Sequence, residues 1–331
     1  MLCRRGLCYP VGKERGLRME KKIDVSFVMT VYNKEKFLPS VLKALLNQTG
    51  VKNPEYIFVD DASTDKSVAI IKKMTKGIKN VTLVAKKQNQ GISITTNQAL
   101  SLAKGTYTRP LDSDDILPLD STQKMLEMAK KYKADMVYGS FVKTGRPADE
   151  LTQIHMPKNF LFYHKDNALW GVLTGRFVRM GQLIKTSVIR KAGGVDERVF
   201  IQDESMSLRC AFYANGLVKM FAPAVLVPQE DGNFSGNKIQ LDHDRFLAHY
   251  YFLVGHKNEM SDEILRKLNE KLISACWKLT RKTTLLPYLH PIFFRYLVSK
   301  TLHPLPNFVY LKKVTDRLKK LPNIRRSQGT H

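Results

Sequence analysis

Asp112 and Asp114 place two carboxylates two residues apart, directly after a short run of strand-forming residues. In extended backbone, residues i and i+2 point to the same side, so both carboxylates can face one site. Mg²⁺ and Mn²⁺ are hard cations that bind carboxylate oxygen and keep positions open for phosphate and water. Such an ion stabilises the negative charge that builds up on a departing diphosphate. A polar turn that caps the next helix would explain the same residues, so the motif alone favours neither interpretation.

The segments that must position this motif alternate between strand and helix patterns, which predicts a mostly parallel α/β sheet with helices on both faces. The predicted strands cover residues 24–31, 56–59, 81–85, 107–111, 135–138, 181–185 and 218–227. The predicted helices cover residues 37–46, 94–103, 119–132, 187–191 and 204–213. Ser63 or Thr64 can cap a further helix after the second strand. Pro110 cannot donate to a sheet ladder, so we expect the fourth strand to end or bulge there.

Polar clusters lie where four of the predicted strands end, at residues 30–35, 60–64, 89–91 and 112–115. In an open α/β sheet, ligands bind beyond the carboxyl ends of the strands, at a switch point in the strand order. The coincidence of the clusters with the strand ends therefore predicts a ligand site at that edge of the sheet.

The same clusters form an ordered set of motifs: VMTVYNKE at residues 28–35, VDDASTD at 59–65, NQG at 89–91 and LDSDD at 111–115. Together they resemble glycosyltransferase family 2, over about residues 23–140 and more thinly to about residue 230. The resemblance implies the GT-A (Rossmann-like) α/β fold and a nucleotide-sugar donor, with UDP as the default nucleotide. It also implies a divalent metal ion, Mg²⁺ or Mn²⁺, and inversion at the anomeric carbon.

The resemblance further implies a role for individual residues. Carried over by position, the residues at the donor would be Thr30, Tyr32, Glu35, Asp61, Asn89, Gly91, Asn97 and Asp112. The first three would line the nucleoside pocket, and Asp61 would accept a hydrogen bond from the base. Asn89, Gly91 and Asn97 would shape the ribose side, and Asp112 would face the sugar nucleotide. The metal ligands would be Asp114 and Asp115.

A second acidic motif, Gln202-Asp203-Glu204, precedes a predicted helix. The resemblance implies that Asp203 is the general base that takes the proton of the acceptor hydroxyl, a role that typically contributes ~10²–10⁴ in rate. The family's preceding acid is Gln202 here and a later Asp is Ser205, so Glu204 is an alternative base. Asp203 could also serve only as the cap of the helix.

The C-terminal part of the chain is strongly basic. Residues 271–331 contain thirteen Lys and Arg and one acid, Asp316, and so carry half of the formal net charge of +24. Residues 285–326 combine this charge with apolar residues, a pattern typical of basic helices that lie on anionic membranes. An ordinary solvated helical face is the alternative. We expect peripheral binding that brings the site to a glycan or lipid-linked acceptor.

We divide the chain into a basic N-terminal extension (1–21), expected to be disordered, a GT-A catalytic domain (22–230), and an acceptor-side lid with a basic helical tail (231–331). The lid is the glycine-punctuated segment 230–237. Residues 1–18 lack the apolar core of a secretory signal, and we expect translation to begin at Met19. The four cysteines have no zinc-ligand spacing, and no run of about 18 apolar residues is present. We expect a cytoplasmic protein, peripheral on the inner face of the cell membrane.

Other classes of protein were weighed against this interpretation. The charge favours a nucleic-acid-binding protein, but the chain has no recognisable motif for one, and the acids lie where such a ligand would be repelled. A nucleotidyltransferase acting on sugar phosphates is expected to have a glycine-rich loop after the first strand. This chain has YNKE there, at residues 32–35. The intact Asp112, Asp114 and Asp203 argue against a relative that only binds. The sequence therefore favours an inverting glycosyltransferase of bacterial surface polysaccharide or lipooligosaccharide synthesis, with no nucleic acid partner.

Overall fold

The computed structural model describes residues 22–158, 162–165, 167–175, 181–228, 237–322 and 324–325. The strands are β1 (Val25–Val31), β2 (Glu55–Asp60), β3 (Val81–Ala85), β4 (Tyr107–Leu111), β5 (Met136–Thr144), β6 (Phe162–Lys165), β7 (Gln182–Lys185) and β8 (Leu217–Pro228). The helices are α1 (Leu38–Leu46), α2 (Ser67–Met74), α3 (Ile92–Ser101), α4 (Ser121–Lys131), α5 (Ala148–Leu151), α6 (Ala168–Thr174), α7 (Thr186–Ala192), α8 (Asp203–Tyr213), α9 (Lys238–His256), α10 (Asp262–Thr283), α11 (Pro291–Thr301) and α12 (Phe308–Leu318). The predicted N-terminal extension, 1–21, lies outside the described residues.

The eight strands form one sheet in the order β3-β2-β1-β4-β7-β5-β8-β6. β1 pairs in parallel with β2 and β4, β2 with β3, and β5 with β8. β7 and β6 run antiparallel to their neighbours. The chain moves outward from β1 to β3 and then returns to place β4 on the other side of β1. This reversal is the switch point at which such sheets open a ligand crevice, and the predicted mostly parallel α/β sheet is confirmed.

Strand β1 is buried on both faces because helices cover both sides of the sheet. Val28 packs into one core together with Ile57 and Val59 of β2. The neighbouring side chains of Phe27 and Met29 pack into the opposite core. Side chains alternate between the two faces of a strand, so the continuous apolar run VSFVMTV fills both cores at once. This double burial fixes the register of β1 and therefore the position of the loop that follows it.

Pro110 lies inside β4, so the break expected at this residue was wrong. β4 pairs with β7 only at Tyr107 and Thr108. At Pro110 the strand therefore has a partner on one side only, on β1, where Val28 is its register partner. A proline is tolerated where a strand has a free side, because no ladder hydrogen bond is lost there.

The cap expected at Ser63 or Thr64 was also wrong, because α2 begins later, at Ser67. The carboxylates of Asp65 and Glu35 instead accept hydrogen bonds from the N–H groups at the start of α2. Glu35 belongs to the loop after β1, so the start of α2 is tied to the same sheet edge as that loop.

The predicted basic helical extension is confirmed as α9 to α12. α9 packs on α8, α10 and α12, and α10 packs on α6 and α11. Phe246 and Leu253 of α9 and Leu268 of α10 are buried in the same core as one face of the sheet. Across the described ranges, no helix has both the length and the apolar character needed to cross a bilayer. The expected lid, 230–237, lies outside the described residues except for Asn237, whose side chain caps α9.

Candidate active site

Four of the predicted residues line one cleft beyond the carboxyl ends of β1 and β4: Thr30, Asp112, Asp115 and Asp203. The cleft contains about 520 Å³ of open space. β1 supplies the first of these residues, the loop after β4 the next two, and the first turn of α8 the last. The cleft therefore lies at the sheet edge where the strand-end clusters predicted a ligand site.

The acidic loop after β4 is held at both ends. Asp115 N–H donates to the Asp112 carbonyl over 3.3 Å, which closes a tight turn. Ile116 exchanges two backbone hydrogen bonds with Leu226 of β8, over 2.9 and 2.8 Å. Asp115 and Ile116 are both buried. The carboxylates of this loop are thus presented by a fixed backbone, which a binding or catalytic site requires.

Asp203 is the first residue of α8, and side chains from two other helices hold the backbone before it. Ser93 of α3 donates to the Val199 carbonyl over 2.5 Å, and Asp244 of α9 accepts from Ile201 N–H over 2.8 Å. A carboxylate in the first turn of a helix is also favoured by the helix dipole. These contacts fix Asp203 at the wall of the cleft.

The carboxylates of the cleft interact strongly. Burial, followed by the charges of Asp203 and Asp114, raises the pKa of Asp112 well above its usual range. Burial, followed by Asp112, Asp114 and Asp203, raises the pKa of Asp115 in the same way. The positive charge of Lys34 opposes both increases. The raised pKa values mean that Asp112 and Asp115 hold their protons more strongly than usual, and a divalent cation beside them would favour the ionised carboxylates. Asp114 contributes to this interaction but is not among the residues that line the cleft.

The chemistry of this donor set fits a divalent ion, because Mg²⁺ and Mn²⁺ prefer hard carboxylate oxygens. Among the described residues, however, no three Asp, Glu, His or Cys side chains are already arranged to hold an ion. The Lys34 ammonium instead bonds to Asp114 Oδ2 over 2.5 Å. This lysine supplies part of the positive charge that an ion would bring, and an ion would have to compete with it for Asp114.

Asp61 organises a second group of predicted residues, beyond β2. Its carboxylate accepts the N–H groups of Gln90 and Gly91, each over 2.9 Å, and the Lys86 ammonium over 3.2 Å. Asn89 donates to the Asp61 carbonyl over 3.1 Å. Gly91 has φ +89°, a backbone conformation that favours glycine. Three residues predicted at the donor, Asp61, Asn89 and Gly91, are thus brought together in one hydrogen-bonded cluster.

The remaining residues predicted at the donor, Tyr32, Glu35 and Asn97, do not line the cleft that holds Asp203. Tyr32 follows β1 and is 48% exposed. Glu35 is exposed, and its carboxylate is engaged at the start of α2. The Asn97 side chain accepts from Val195 N–H over 2.8 Å and donates to the Val195 carbonyl over 3.1 Å. Asn97 thereby fixes the loop that leads towards α8.

Glu204, the alternative base, is adjacent to Asp203 in sequence but is 1% exposed and does not line the cleft. Its Oε1 pairs with Arg245 of α9 over 3.3 Å. Successive residues of a helix point about 100° apart, so neighbouring carboxylates enter different surroundings. The geometry therefore favours Asp203 as the residue that meets a ligand, and it gives Glu204 a contact between α8 and α9.

Three residues of this site were not predicted from the sequence. Lys34 belongs to the YNKE motif, but no local pattern reveals its contact with Asp114, 80 residues away. Thr96 and Gln182 line the cleft and are 5% and 2% exposed. Gln182 shares a face of β7 with the buried Ile184. A polar side chain on the buried face of a strand was the available signal.

A sheet that reverses its order at β1, with an acidic cleft beyond the strand ends, defines a protein of the GT-A fold class. TarS 1–349 of S. aureus, solved in complex with UDP-GlcNAc, matches with a TM-score of 0.63 and 15% identity, over 93% of this chain and 98% of that one. The mannosyltransferase PcManGT of Pyrobaculum calidifontis, solved with GDP-Man and Mn²⁺, matches with a TM-score of 0.53 and 14% identity, over 91% and 89%. At these identities the similarity shows the fold alone.

Residues 26–193 match the sequence profile of glycosyl transferase family 2, and the chain belongs to that family. The minor teichoic acid biosynthesis protein GgaB of Bacillus subtilis (strain 168) is 35% identical over 114 residues, which cover 34% of this chain and 13% of the relative. The chain spans less than half the length of the first curated relatives it matches, at 13%, 46% and 18%. The family predicted from the motifs is confirmed, which argues against the nucleic-acid-binding and nucleotidyltransferase alternatives.

Proposed function

We propose that the chain transfers a sugar from a nucleoside-diphosphate sugar to an acceptor hydroxyl, with inversion at the anomeric carbon. The observation that carries the proposal is the single cleft lined by Asp203 together with Asp112 and Asp115. A displacement of this kind needs one carboxylate to take a proton and others to bind a cation at the leaving group. The position of these carboxylates at one edge of the sheet supports the proposal, because both requirements would be met there.

Asp203 acts as the general base in the proposed reaction. It takes the proton of the acceptor hydroxyl while the acceptor oxygen bonds to the anomeric carbon. The bond between that carbon and the diphosphate oxygen breaks, and the nucleoside diphosphate leaves with the bonding electrons. The fixed position of Asp203 supports this role, because a base must lie within hydrogen-bond reach of the proton it removes.

Asp114 and Asp115 would hold the divalent ion, with Asp112 beside them facing the sugar nucleotide. When bound, the ion supplies charge neutralisation at the diphosphate oxygens. The excess of carboxylates over ammonium groups supports this assignment, as does the rigid turn from Asp112 to Ile116. PcManGT, which shares the fold, was solved with Mn²⁺.

The cluster around Asp61 would bind the nucleoside. Asp61 accepts from Gln90 and Gly91 and is thereby oriented before any ligand arrives. β1 and β2 are adjacent in the sheet, so Thr30 and Tyr32, at the end of β1, lie beside the end of β2. UDP is the nucleotide that we propose first, and the complex of TarS with UDP-GlcNAc supports this choice.

We further propose that the product is a bacterial surface polysaccharide or lipooligosaccharide, built on a glycan or lipid-linked acceptor. The similarity to GgaB, a protein named for minor teichoic acid biosynthesis, supports this assignment. An acceptor of this kind is held at a membrane, so the chain must bring its cleft close to a lipid surface.

The C-terminal helices carry the surface that would make this contact. Of the sixteen large apolar side chains that are exposed within the described residues, ten lie within residues 285–309. We name them the tail patch: Leu285, Leu286, Tyr288, Leu289, Phe294, Leu297, Val298, Leu302, Leu305 and Val309. Monomeric soluble proteins rarely expose apolar side chains at this density, and such patches mark interaction surfaces.

The occupant that fits the tail patch is an anionic lipid surface. Phe294, Leu297 and Val298 are spaced three and four residues apart on α11, so they form one exposed stripe. Exposed Arg295 and Lys300 flank this stripe on the same helix. A basic helix with an exposed apolar stripe places the stripe in the acyl boundary and its cations at the phosphates. We therefore propose peripheral binding of the chain to the inner face of the cell membrane.

The proposed reaction is tested first by ligand binding. Thermal unfolding of the full chain is measured with UDP, UDP-GlcNAc, GDP and GDP-mannose, each with and without Mn²⁺. We expect at least one sugar nucleotide to raise the melting temperature in the presence of Mn²⁺, and we expect Asp114→Ala to abolish that dependence on the metal. A chain that responds to none of these compounds but responds to DNA or RNA would overturn the proposal.

A further inference from the structure

Two residues that line the cleft each carry a buried polar atom with no hydrogen-bond partner within the part of the chain that the structure describes: Gln182 Oε1 and Thr96 Oγ1. Both side chains are more than nine-tenths buried, at 2% and 5% exposure. Leaving a buried acceptor or hydroxyl without a partner is unfavourable, and nearly all such groups in folded proteins are satisfied. Both residues line the same cleft, so a ligand that enters the cleft is the available source of the missing partners.

The fold supplies these two groups from different elements that border the cleft. β7 runs antiparallel to β4 with Ile184 opposite Thr108, so Gln182 lies level with residue 110, beside the loop that begins at Asp112. Thr96 lies on α3, the helix that starts directly after the cluster around Asp61. Thr96 therefore belongs to the element that follows the nucleoside cluster, and Gln182 to the strand beside the acidic loop, and a ligand in the cleft can meet both.

The chemistry of the cleft specifies what this part of the ligand must be. The oxygen of Gln182 is an acceptor, and a threonine hydroxyl both donates and accepts. The carboxylates of Asp112, Asp115 and Asp203 line the same space, so an anionic group on this part of the ligand is disfavoured. Val28 and Met206 form an apolar part of the cleft wall. Hydroxyl groups on a ring with apolar C–H faces, as in a sugar, satisfy all of these conditions.

We propose that Gln182 and Thr96 bind hydroxyl groups of the transferred sugar and so determine which sugar the cleft accepts. The inference rests on the proposed glycosyl transfer and adds to it the residues that select the donor. A site built to hydrogen-bond a hydroxyl rejects an analogue whose hydroxyl is absent or misplaced, because its own polar groups are then left unpaired. The two residues thus select among sugars that share one nucleotide.

The experiment separates the sugar from the nucleotide. Affinities of the wild-type chain and of Gln182→Leu are measured for UDP, UDP-glucose, UDP-galactose and UDP-GlcNAc, and for GDP and GDP-mannose. For the sugar nucleotide that the wild type prefers, we expect Gln182→Leu to weaken binding about 10- to 100-fold. The affinity of the variant for the nucleoside diphosphate alone should stay within about twofold of the wild-type affinity. The differences in its affinity among the sugar nucleotides should become smaller than those of the wild type. Thr96→Val, which keeps the shape of the side chain, should give the same pattern.

Ser207→Ala is the matched control for folding. Ser207 Oγ is also buried and without a partner in the described structure, and Ser207 lies on α8 as Asp203 does, but it does not line the cleft. All three substitutions remove an unsatisfied polar atom, so none should lower the melting temperature of the free chain. Only Gln182→Leu and Thr96→Val should change sugar binding.

The outcomes distinguish this inference from the proposed function. If the wild type binds a sugar nucleotide and Gln182→Leu and Thr96→Val bind it equally well, ordered water satisfies the two atoms and the inference is wrong. If the two variants lose UDP and the sugar nucleotide equally, the residues shape the cleft and do not select the sugar. If the wild type binds no nucleotide and no sugar nucleotide, the proposed function fails and this inference fails with it.

Discussion

The ammonium of Lys34 lies 2.5 Å from Asp114 Oδ2, although 80 residues separate the two in sequence. The Lys34 backbone is fixed as well, because its N–H donates to Ser67 Oγ over 2.8 Å and its carbonyl accepts from Phe37 and Leu38. The lysine therefore reaches the acidic loop from a rigid base at the end of β1. It places a positive charge at the carboxylate that we propose as a metal ligand.

Lys34→Met should strengthen the binding of Mn²⁺ to the free chain. The ion and the ammonium compete for Asp114, and a partly exposed ion pair of this type contributes up to about 1 kcal/mol, so we expect roughly threefold to fivefold tighter binding. Electron paramagnetic resonance of Mn²⁺, titrated into the chain without donor, measures this affinity directly.

Lys36→Met is the matched control for that prediction. It removes the same charge two residues along the chain, and the ammonium groups of both lysines lie over the Phe37 ring, at 5.0 and 5.7 Å. If Lys36→Met strengthens Mn²⁺ binding as much as Lys34→Met does, the effect comes from the general field of the protein and the competition at Asp114 is not its cause.

Asp203→Asn and Glu204→Gln should have opposite consequences. Asp203→Asn removes the proposed base from the cleft, so turnover should fall by about 10²-fold or more while donor affinity is retained. Glu204→Gln weakens a buried contact to Arg245, so the free energy of unfolding should fall by about 1–3 kcal/mol while the folded enzyme keeps its turnover. Steady-state kinetics combined with urea unfolding separates the two. Full activity of Asp203→Asn would show that another group takes the proton.

Asp61 and Lys86 form a buried ion pair, with side chains that are 5% and 7% exposed. Asp61→Asn leaves the Lys86 ammonium buried without its countercharge, so the free energy of unfolding should fall by about 3 kcal/mol or more. The double variant Asp61→Asn with Lys86→Met removes both charges and should recover much of this loss in urea unfolding. UDP affinity, measured by calorimetry, should stay low in both variants if Asp61 binds the base. Recovery of UDP binding in the double variant would show that Asp61 acts only through the fold.

The sequence predicted every strand of the described sheet except β6, because the signal of the others is local. Apolar runs such as 25–31 and 81–85 end in polar clusters, and periodicity and turn residues lie within a few positions of one another. The position of Asp112 and Asp115 beyond the sheet was also predictable, since the carboxyl ends of parallel strands share an edge. Asp203 begins α8 and follows no parallel strand, so only the family motifs supplied the link across the 91 positions from Asp112 to Asp203.

The contacts that decide individual roles could not be predicted in this way. Both Asp203 and Glu204 could be the base by sequence, and only the packing of α9 shows that Glu204 forms an ion pair with Arg245. His243 and His249 of α9 are polar residues in a basic segment, yet they are 3% and 5% exposed because α9 is covered by other helices. Long-range pairs of this kind have no local pattern, so tertiary packing overrides what the sequence indicates.

The tail patch gives a prediction that does not depend on the chemistry of the cleft. Leu285→Glu with Leu289→Glu changes two side chains that are 95% and 74% exposed, so the fold should be unaffected. Sedimentation with vesicles of phosphatidylglycerol and phosphatidylethanolamine should show binding weakened by about tenfold or more, because apolar insertion is lost and negative charge is added. The control is the double variant Ile78→Glu with Val142→Glu, which changes two exposed apolar side chains elsewhere and should bind the vesicles as the wild type does. An equal loss of vesicle binding in both double variants would show that added negative charge alone weakens binding. Unchanged vesicle binding of the tail variant would show that the tail patch is not the membrane contact.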